Sequence, residues 1–172
     1  MAEIYLRVAK TTDLDQVTSI IEEARQLLKA DGSDQWQNGY PNQETLLADI
    51  KSGNSYVLIV NGNVAGTAYL MMGDEPTYQE IDGSWNRPAE QYTTIHRIAI
   101  ASQYHGLHLG SYLLSNLITV SVMKGYRNVR FDTRPVNKRM QELGKRFGFE
   151  YRGMIRVVYD GNQKQLAFEL NL

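Results

Sequence analysis

The sequence predicts a single α/β domain: a mixed central sheet of about six to seven strands, flanked by about four helices. Three observations carry that expectation. Strand-like and helix-like runs alternate along the chain in the order β-α-α-β-β-β-α-β-α-β-β. The dipeptides Asn61-Gly62 and Asp160-Gly161 each lie between strand-like runs, where a tight turn with positive φ makes an antiparallel hairpin. A central strand, a glycine-bearing loop and an apolar helix then follow one another, the form of a βαβ crossover. The hairpins disfavour an all-parallel, flavodoxin-like sheet. With 172 residues, 42% hydrophobic and 22% charged, the chain reads as one globular unit over residues 3–172.

Taken in order, Ile4-Tyr5-Leu6-Arg7-Val8 is a first strand, rich in β-branched and aromatic residues. Thr12, three residues before Asp15, reads as the N-cap of a helix. That helix carries Leu14, Val17, Ile20, Ile21, Ala24, Leu27 and Leu28 on one stripe and stops at Asp31-Gly32. Residues 33–42 form a loop, and a short helix from Asn42 buries Leu46, Leu47 and Ile50. Strands follow at Ser55–Val60, Val64–Met72 and Tyr92–Ile100, with an irregular stretch over 73–91 between the last two. A helix runs to Lys124 and closes at Gly125. Asn128–Thr133 is a strand, Asn137–Phe147 a helix, and Phe149–Leu170 a closing hairpin.

Composition narrows the function. Without cysteine, a thiol nucleophile, cysteine-ligated zinc and iron–sulfur clusters are excluded. No secretory leader or apolar run of about 20 residues is evident, so a soluble, cytoplasmic protein without a membrane partner is expected. The net charge of −1 conceals an asymmetry. Residues 124–172 hold eleven Lys and Arg against five Asp and Glu, which leaves the preceding part at −7. An acidic section suits a cationic ligand, and the absence of a strongly basic whole argues against nucleic acid.

Chemistry concentrates in Ile98-Ala99-Ile100 and the following His105-Gly106-Leu107-His108-Leu109-Gly110-Ser111. A strand, a tight loop and a helix N-terminus present unpaired N–H groups and partial positive charge, which together make an anion site. Neither a dinucleotide-binding glycine triplet nor a Gly-Lys-Ser/Thr phosphate loop is present. Further on, Asn137-Lys138-Arg139-Met140-Gln141-Glu142-Leu143-Gly144-Lys145-Arg146-Phe147-Gly148-Phe149 forms a second motif. Together the two segments resemble the GCN5-related N-acetyltransferases, the GNAT superfamily. Its members carry Arg/Gln-x-x-Gly-x-Gly/Ala before one helix and Asn-x-x-Ala-x-x-Leu-Tyr-x-x-x-Gly-Phe along another. Element order extends the resemblance over residues 3–170.

The resemblance implies acetyl-CoA as cosubstrate, with no metal. It implies that residues 105–111 hold the pyrophosphate, that Ile98, Ala99 and Ile100 offer main chain to the acetyl and pantetheine groups, and that Asn137 meets the pantetheine. Lys138, Arg139 or Lys145 would meet the 3′-phosphate. The two central strands should run parallel and part at their C-terminal ends. Two positions depart from the pattern: His108 replaces the first motif glycine, and Gly144 replaces the tyrosine that protonates the departing thiolate. A thiolate, with a reference pKa of ~8.5, can leave without that acid.

His96 is the candidate base, because imidazole accepts protons near neutrality. Trp36, Tyr40 and Trp85 lie in the two irregular segments that flank the family's acceptor pocket, and aromatic faces there suit a cationic amine. Asp34, Asp82 and Glu90 could pair with its ammonium. Arg97 should face away from His96 and pair with an acid. The expected activity is acetyl transfer to a primary amine of a small cationic molecule. A protein or peptide acetyltransferase and a non-catalytic acyl-CoA-binding module are the alternatives, and homodimerisation is left open.

Overall fold

The computed structural model describes residues 2–172. Its strands are β1 (Ile4–Val8), β2 (Ser55–Val60), β3 (Asn63–Met72), β4 (Asp82–Gly83), β5 (Thr93–Ile100), β6 (Asn128–Thr133), β7 (Glu150–Val157) and β8 (Gln163–Asn171). Its helices are α1 (Leu14–Ala30), α2 (Gln43–Lys51), α3 (Leu109–Met123) and α4 (Lys138–Arg146). The strands make one mixed sheet in the order β1-β2-β3-β5-β6-β8-β7-β4. No helix among the described residues is long and apolar enough to cross a membrane.

Strand β2 shows why the sheet is covered on both faces. All six of its residues are buried. With side chains alternating between faces, Tyr56, Leu58 and Val60 join Leu113, Leu114 and Leu117 of α3 in one core. Val57 and Ile59 join Val17, Ile20 and Ile21 of α1 and Leu46 and Ile50 of α2 in the other. The stripe that α1 spaces at three and four residues is therefore its buried face. A third core, around Tyr78, Trp85 and Tyr92, lies at the β7–β8 end of the sheet.

The hairpin at Asn61-Gly62 forms as expected, with φ of 48° and 79° at the two turn residues. The start of α1 differs. Thr11–Asp13 form a 3-10 turn ahead of the helix, and Asp13 stands at the helix N-cap position, its carboxylate bonded away from α1. It accepts the Lys10 N–H at 2.7 Å and an Arg7 guanidinium at 2.7 Å. Thr12 lies within this turn and is not the cap. Helix α2 begins where expected, and Asn42 caps it: its Oδ1 accepts the Thr45 N–H at 2.9 Å. The eighth strand, β4, arises inside the stretch read as irregular. There Gly83 and Gly153 pass so closely that a Cβ on Gly83 would stand 2.1 Å from the Arg152 carbonyl oxygen.

The feature that positions the site is the parting of β5 from β6. These neighbours are parallel and pair only at Thr93–Val129 and Thr94–Arg130. Beyond that point β5 continues to Ile100 with its β6-facing edge unpaired, as the family resemblance implies. On its other side, β5 bulges: Tyr69 opposes His96 and Thr67 opposes Ala99, so Ala68 faces two residues, Arg97 and Ile98. Arg97, one of the two, adopts the left-handed conformation with φ of 51°.

Candidate active site

A cavity of about 230 Å³ occupies the notch between β5 and β6. Its walls are residues 95–100 of β5, Asp132 and Thr133 of β6, Asn137, Met140 and Leu143 beside or on α4, and Leu27 and Leu28 of α1. Trp36, Tyr40 and Tyr159 line it from the loop side, where Tyr40 and Tyr159 pack ring on ring with centroids 4.8 Å apart. Ligands of open α/β sheets bind at the carboxyl ends of parallel strands, and the notch lies there.

At one end the loop after β5 meets the N-terminus of α3. His105, Gly110 and Asn137 line the cavity at this end. His105 Nε2 donates to the Ile100 carbonyl at 3.1 Å, which braces the loop against the strand. His108 caps the helix with φ of 56° and ψ of 21°. A glycine would adopt this conformation freely, and a histidine holds it at some cost. The N–H groups of His108, Leu109 and Gly110 find no hydrogen-bond partner among the described residues. They form a ready anion site. Gly106, Leu107 and His108 of the loop, and Leu109 and Ser111 at the start of α3, do not line the cavity. Asn137 accepts the Met140 N–H at 3.2 Å and so caps α4.

His96 and Arg97 occupy the middle of the free edge. Because the strand bulges between them and Ala99, both line the cavity, and both meet the Tyr69 ring. The imidazole stacks at 6.3 Å between centroids and the guanidinium carbon lies 4.8 Å from the ring centre. A regular strand would have placed them on opposite faces, as the sequence predicts. Arg97 does pair with an acid: it binds Asp49 of α2 through two hydrogen bonds, at 2.7 and 2.8 Å, and donates to the Tyr40 hydroxyl. His96 Nε2 lies 2.9 Å from Glu75 Oε2.

Burial pushes the Tyr40 phenol up to about 12 despite the adjacent Arg97, and it raises Tyr159 further. Both therefore stay protonated in the neutral range. Burial also raises the Asp132 carboxyl above its ordinary value, a rise restrained by the nearby His96 charge and the Tyr78 hydroxyl. That hydroxyl donates to Asp132 Oδ1 at 2.6 Å. No Lys or Arg among the described residues forms an ion pair with Asp132; the charges of His96 and Arg134 act on it without direct pairing.

Several expected site residues are employed elsewhere. Trp85 does not reach the cavity. Its indole N–H donates to the Tyr78 carbonyl at 3.0 Å, and the Arg130 guanidinium covers its ring at 4.0 Å. Asp34 binds Arg134 at 2.9 Å, and Glu90 pairs with Arg87 at 3.3 Å. Asp82 lies on the exposed two-residue β4. Arg139 lines the cavity mouth and pairs with Asp31 at 3.0 Å, whereas Lys138 and Lys145 do not line it. Glu75 and Asp132 were not singled out in the sequence. An acid at the carboxyl end of a strand beside the crossover is the signal that would have found Asp132.

The sequence profile of the Acetyltransferase (GNAT) family matches residues 21–149. An acetyltransferase of the GNAT family from Streptococcus agalactiae shares 33% identity, covers 98% of this chain and 95% of its own, and superposes with a TM-score of 0.90. A GNAT acetyltransferase from Listeria monocytogenes shares the fold at 17% identity, with coverage of 98% and 95% and a TM-score of 0.75. The structure of yncA from Salmonella typhimurium with its cofactor acetyl-CoA does so at 18% identity, with coverage of 99% and 94% and a TM-score of 0.70. No curated protein matches the sequence. The chain belongs to the GNAT acetyltransferase family, whose acetyl donor is acetyl-CoA.

Proposed function

We propose that residues 3–172 act as one N-acetyltransferase domain that moves the acetyl group of acetyl-CoA onto a primary amine of a small cationic molecule, by direct attack in a ternary complex. The observation that carries this reading is the unpaired β6-facing edge of β5, with His96 on it and the orphan N–H groups of α3 at one end. Acetyl-CoA fits that arrangement: the helix terminus suits the pyrophosphate. Main chain at Ile98, Ala99 and Ile100 suits the extended pantetheine arm and the thioester oxygen, and Asn137 stands beside the arm's path.

The protein's contribution is then placement and proton transfer. The acceptor ammonium loses a proton to the His96 imidazole. The free amine attacks the thioester carbonyl carbon, the new C–N bond forms, the nitrogen sheds its second proton to water, the C–S bond breaks, and coenzyme A departs as a thiolate. No side chain stands at residue 144 to protonate it, so the thiolate leaves as the anion or takes a proton from water.

Asp132 and the rings of Trp36, Tyr40 and Tyr159 support the cationic acceptor. A buried carboxyl without an ion-pair partner, in a cavity with aromatic walls, is held as the anion by a bound cation and so favours positive charge. The test is thiol release from acetyl-CoA with putrescine, spermidine, L-lysine, phenethylamine and a lysine-containing peptide. Turnover should be fastest with a small amine carrying a further positive charge. Preference for the peptide, or binding of acetyl-CoA without thiol release from any amine, would replace this reading with one of the alternatives.

A further inference from the structure

The mechanism above makes no use of Glu75, which comes from the irregular segment between β3 and β5. Its side chain is only 7% exposed, and it is tied down from three sides. Oε1 accepts the Thr77 N–H at 3.2 Å and the Thr77 hydroxyl at 2.9 Å, and the Glu75 N–H donates to the Tyr92 hydroxyl at 2.8 Å. Those bonds aim the remaining oxygen, Oε2, at His96 Nε2, 2.9 Å away.

Burial alone would raise the Glu75 carboxyl. The hydrogen bonds from His96 and Thr77, together with the His96 charge, outweigh it and hold the group below its ordinary value. Glu75 is therefore a carboxylate at neutral pH, and a carboxylate only accepts hydrogen bonds. The hydrogen between the two groups must sit on Nε2. In the neutral ring that leaves the lone pair on Nδ1. Tyr69 stacks on one face of the ring and fixes its plane. The other charged groups facing His96 are Asp132 from β6, Asp49 from α2 and its own neighbour Arg97, and none of these hydrogen-bonds the ring.

We propose that Glu75 is a positioning residue for acetyl transfer: it holds His96 as the Nε2–H tautomer, presents Nδ1 as the proton acceptor, and stabilises the imidazolium that forms. The logic is that of an acid orienting a catalytic histidine. This inference rests on the reading of His96 as the base.

Two measurements test it. The chain has three histidines, so ring-nitrogen NMR of the full-length protein, with His96→Gln for assignment, reads each tautomer without any acceptor. His96 should show a protonated Nε2 and a bare Nδ1, and Glu75→Ala should mix the tautomers. A bare Nε2 in the wild type overturns the proposal. Kinetics use whichever panel amine turns over fastest. In folded Glu75→Gln the ionisation controlling kcat/KM should move down by about one pH unit or more, since an opposite charge beside a titrating group is lost. Turnover should fall about tenfold, with coenzyme A binding unchanged. An unmoved profile in Glu75→Gln, while His96→Gln loses turnover, overturns the role of Glu75 alone. Full turnover in His96→Gln instead overturns the base itself.

Discussion

Gly144 lies so close to Phe131 that an added Cβ would stand 2.4 Å from the far carbon of the ring. Phe131 cannot retreat: it is fully buried, stacked on Phe168 at 4.9 Å and edge-on to Phe149 at 5.0 Å. The family's helix carries a tyrosine at this position, and here the aromatic ring on the neighbouring strand takes its space.

Gly144→Tyr, which reinstates the family residue, should therefore destabilise the fold by about 1–3 kcal/mol or more through overpacking and bring no gain in thiol release. Thermal melts and turnover of the folded fraction check this. A stable, faster variant would show that the ring yields and that an acid is wanted.

His96→Gln should lower kcat by about 10²–10⁴, the usual worth of general-base catalysis, while leaving the affinity for coenzyme A unchanged. The wild-type kcat/KM should rise with pH as the base loses its proton, and the variant should lose that rise. Unchanged turnover in a folded variant would remove His96 from the reaction.

Asp132→Asn keeps the shape of the site and removes the carboxylate that a bound cation would stabilise. The KM for an acceptor with a second positive charge should rise by about tenfold or more, the order expected for one partly buried ion pair. The KM for a singly charged amine should change less. Equal effects on both amines would deny Asp132 a part in recognition.

Glu169 offers a stability test remote from the cavity. Its side chain is fully buried and accepts from Arg130 at 3.0 Å, Arg152 at 3.1 Å and the Asn86 N–H at 2.7 Å. Burial would raise its carboxyl, but the Asn86 bond and the Arg130 charge hold it below the usual range. A depressed folded value gives stability that is complete above the unfolded value of about 4.3 and is lost as pH falls through the folded one. Glu169→Gln strands Arg130 between Trp85 and Tyr92, so it should cost about 3–5 kcal/mol at pH near 7. Denaturant melts should show the gap to wild type narrowing as the pH is lowered through the acid range; a constant gap contradicts the assignment.

The elements that local pattern decides were legible in the sequence. Asn61-Gly62 specified its hairpin because few other dipeptides take positive φ twice, and β6 announced itself by composition. The loop of residues 105–111 and Asn137 pointed to the notch. What escaped depends on contacts distant in sequence. The bulge at Arg97 has no glycine to mark it, yet it turns both His96 and Arg97 toward the cavity. Glu75 lies in an aperiodic segment, and only the fold brings it to a histidine 21 residues away. Trp85 and Trp36 look alike as aromatics in irregular segments. One stacks on Arg130, which is itself buried by its pairing with Glu169, and the other lines the cavity. Composition does not say which way a loop aromatic faces.

Mass analysis of the products, with acetyl-CoA and the fastest cationic amine of the panel, bears most directly on the central claim. The predicted result is one equivalent of amine acetylated on nitrogen for each equivalent of free coenzyme A. Free coenzyme A accompanied by acetate and an unmodified amine, or by an ester rather than an amide, would contradict it.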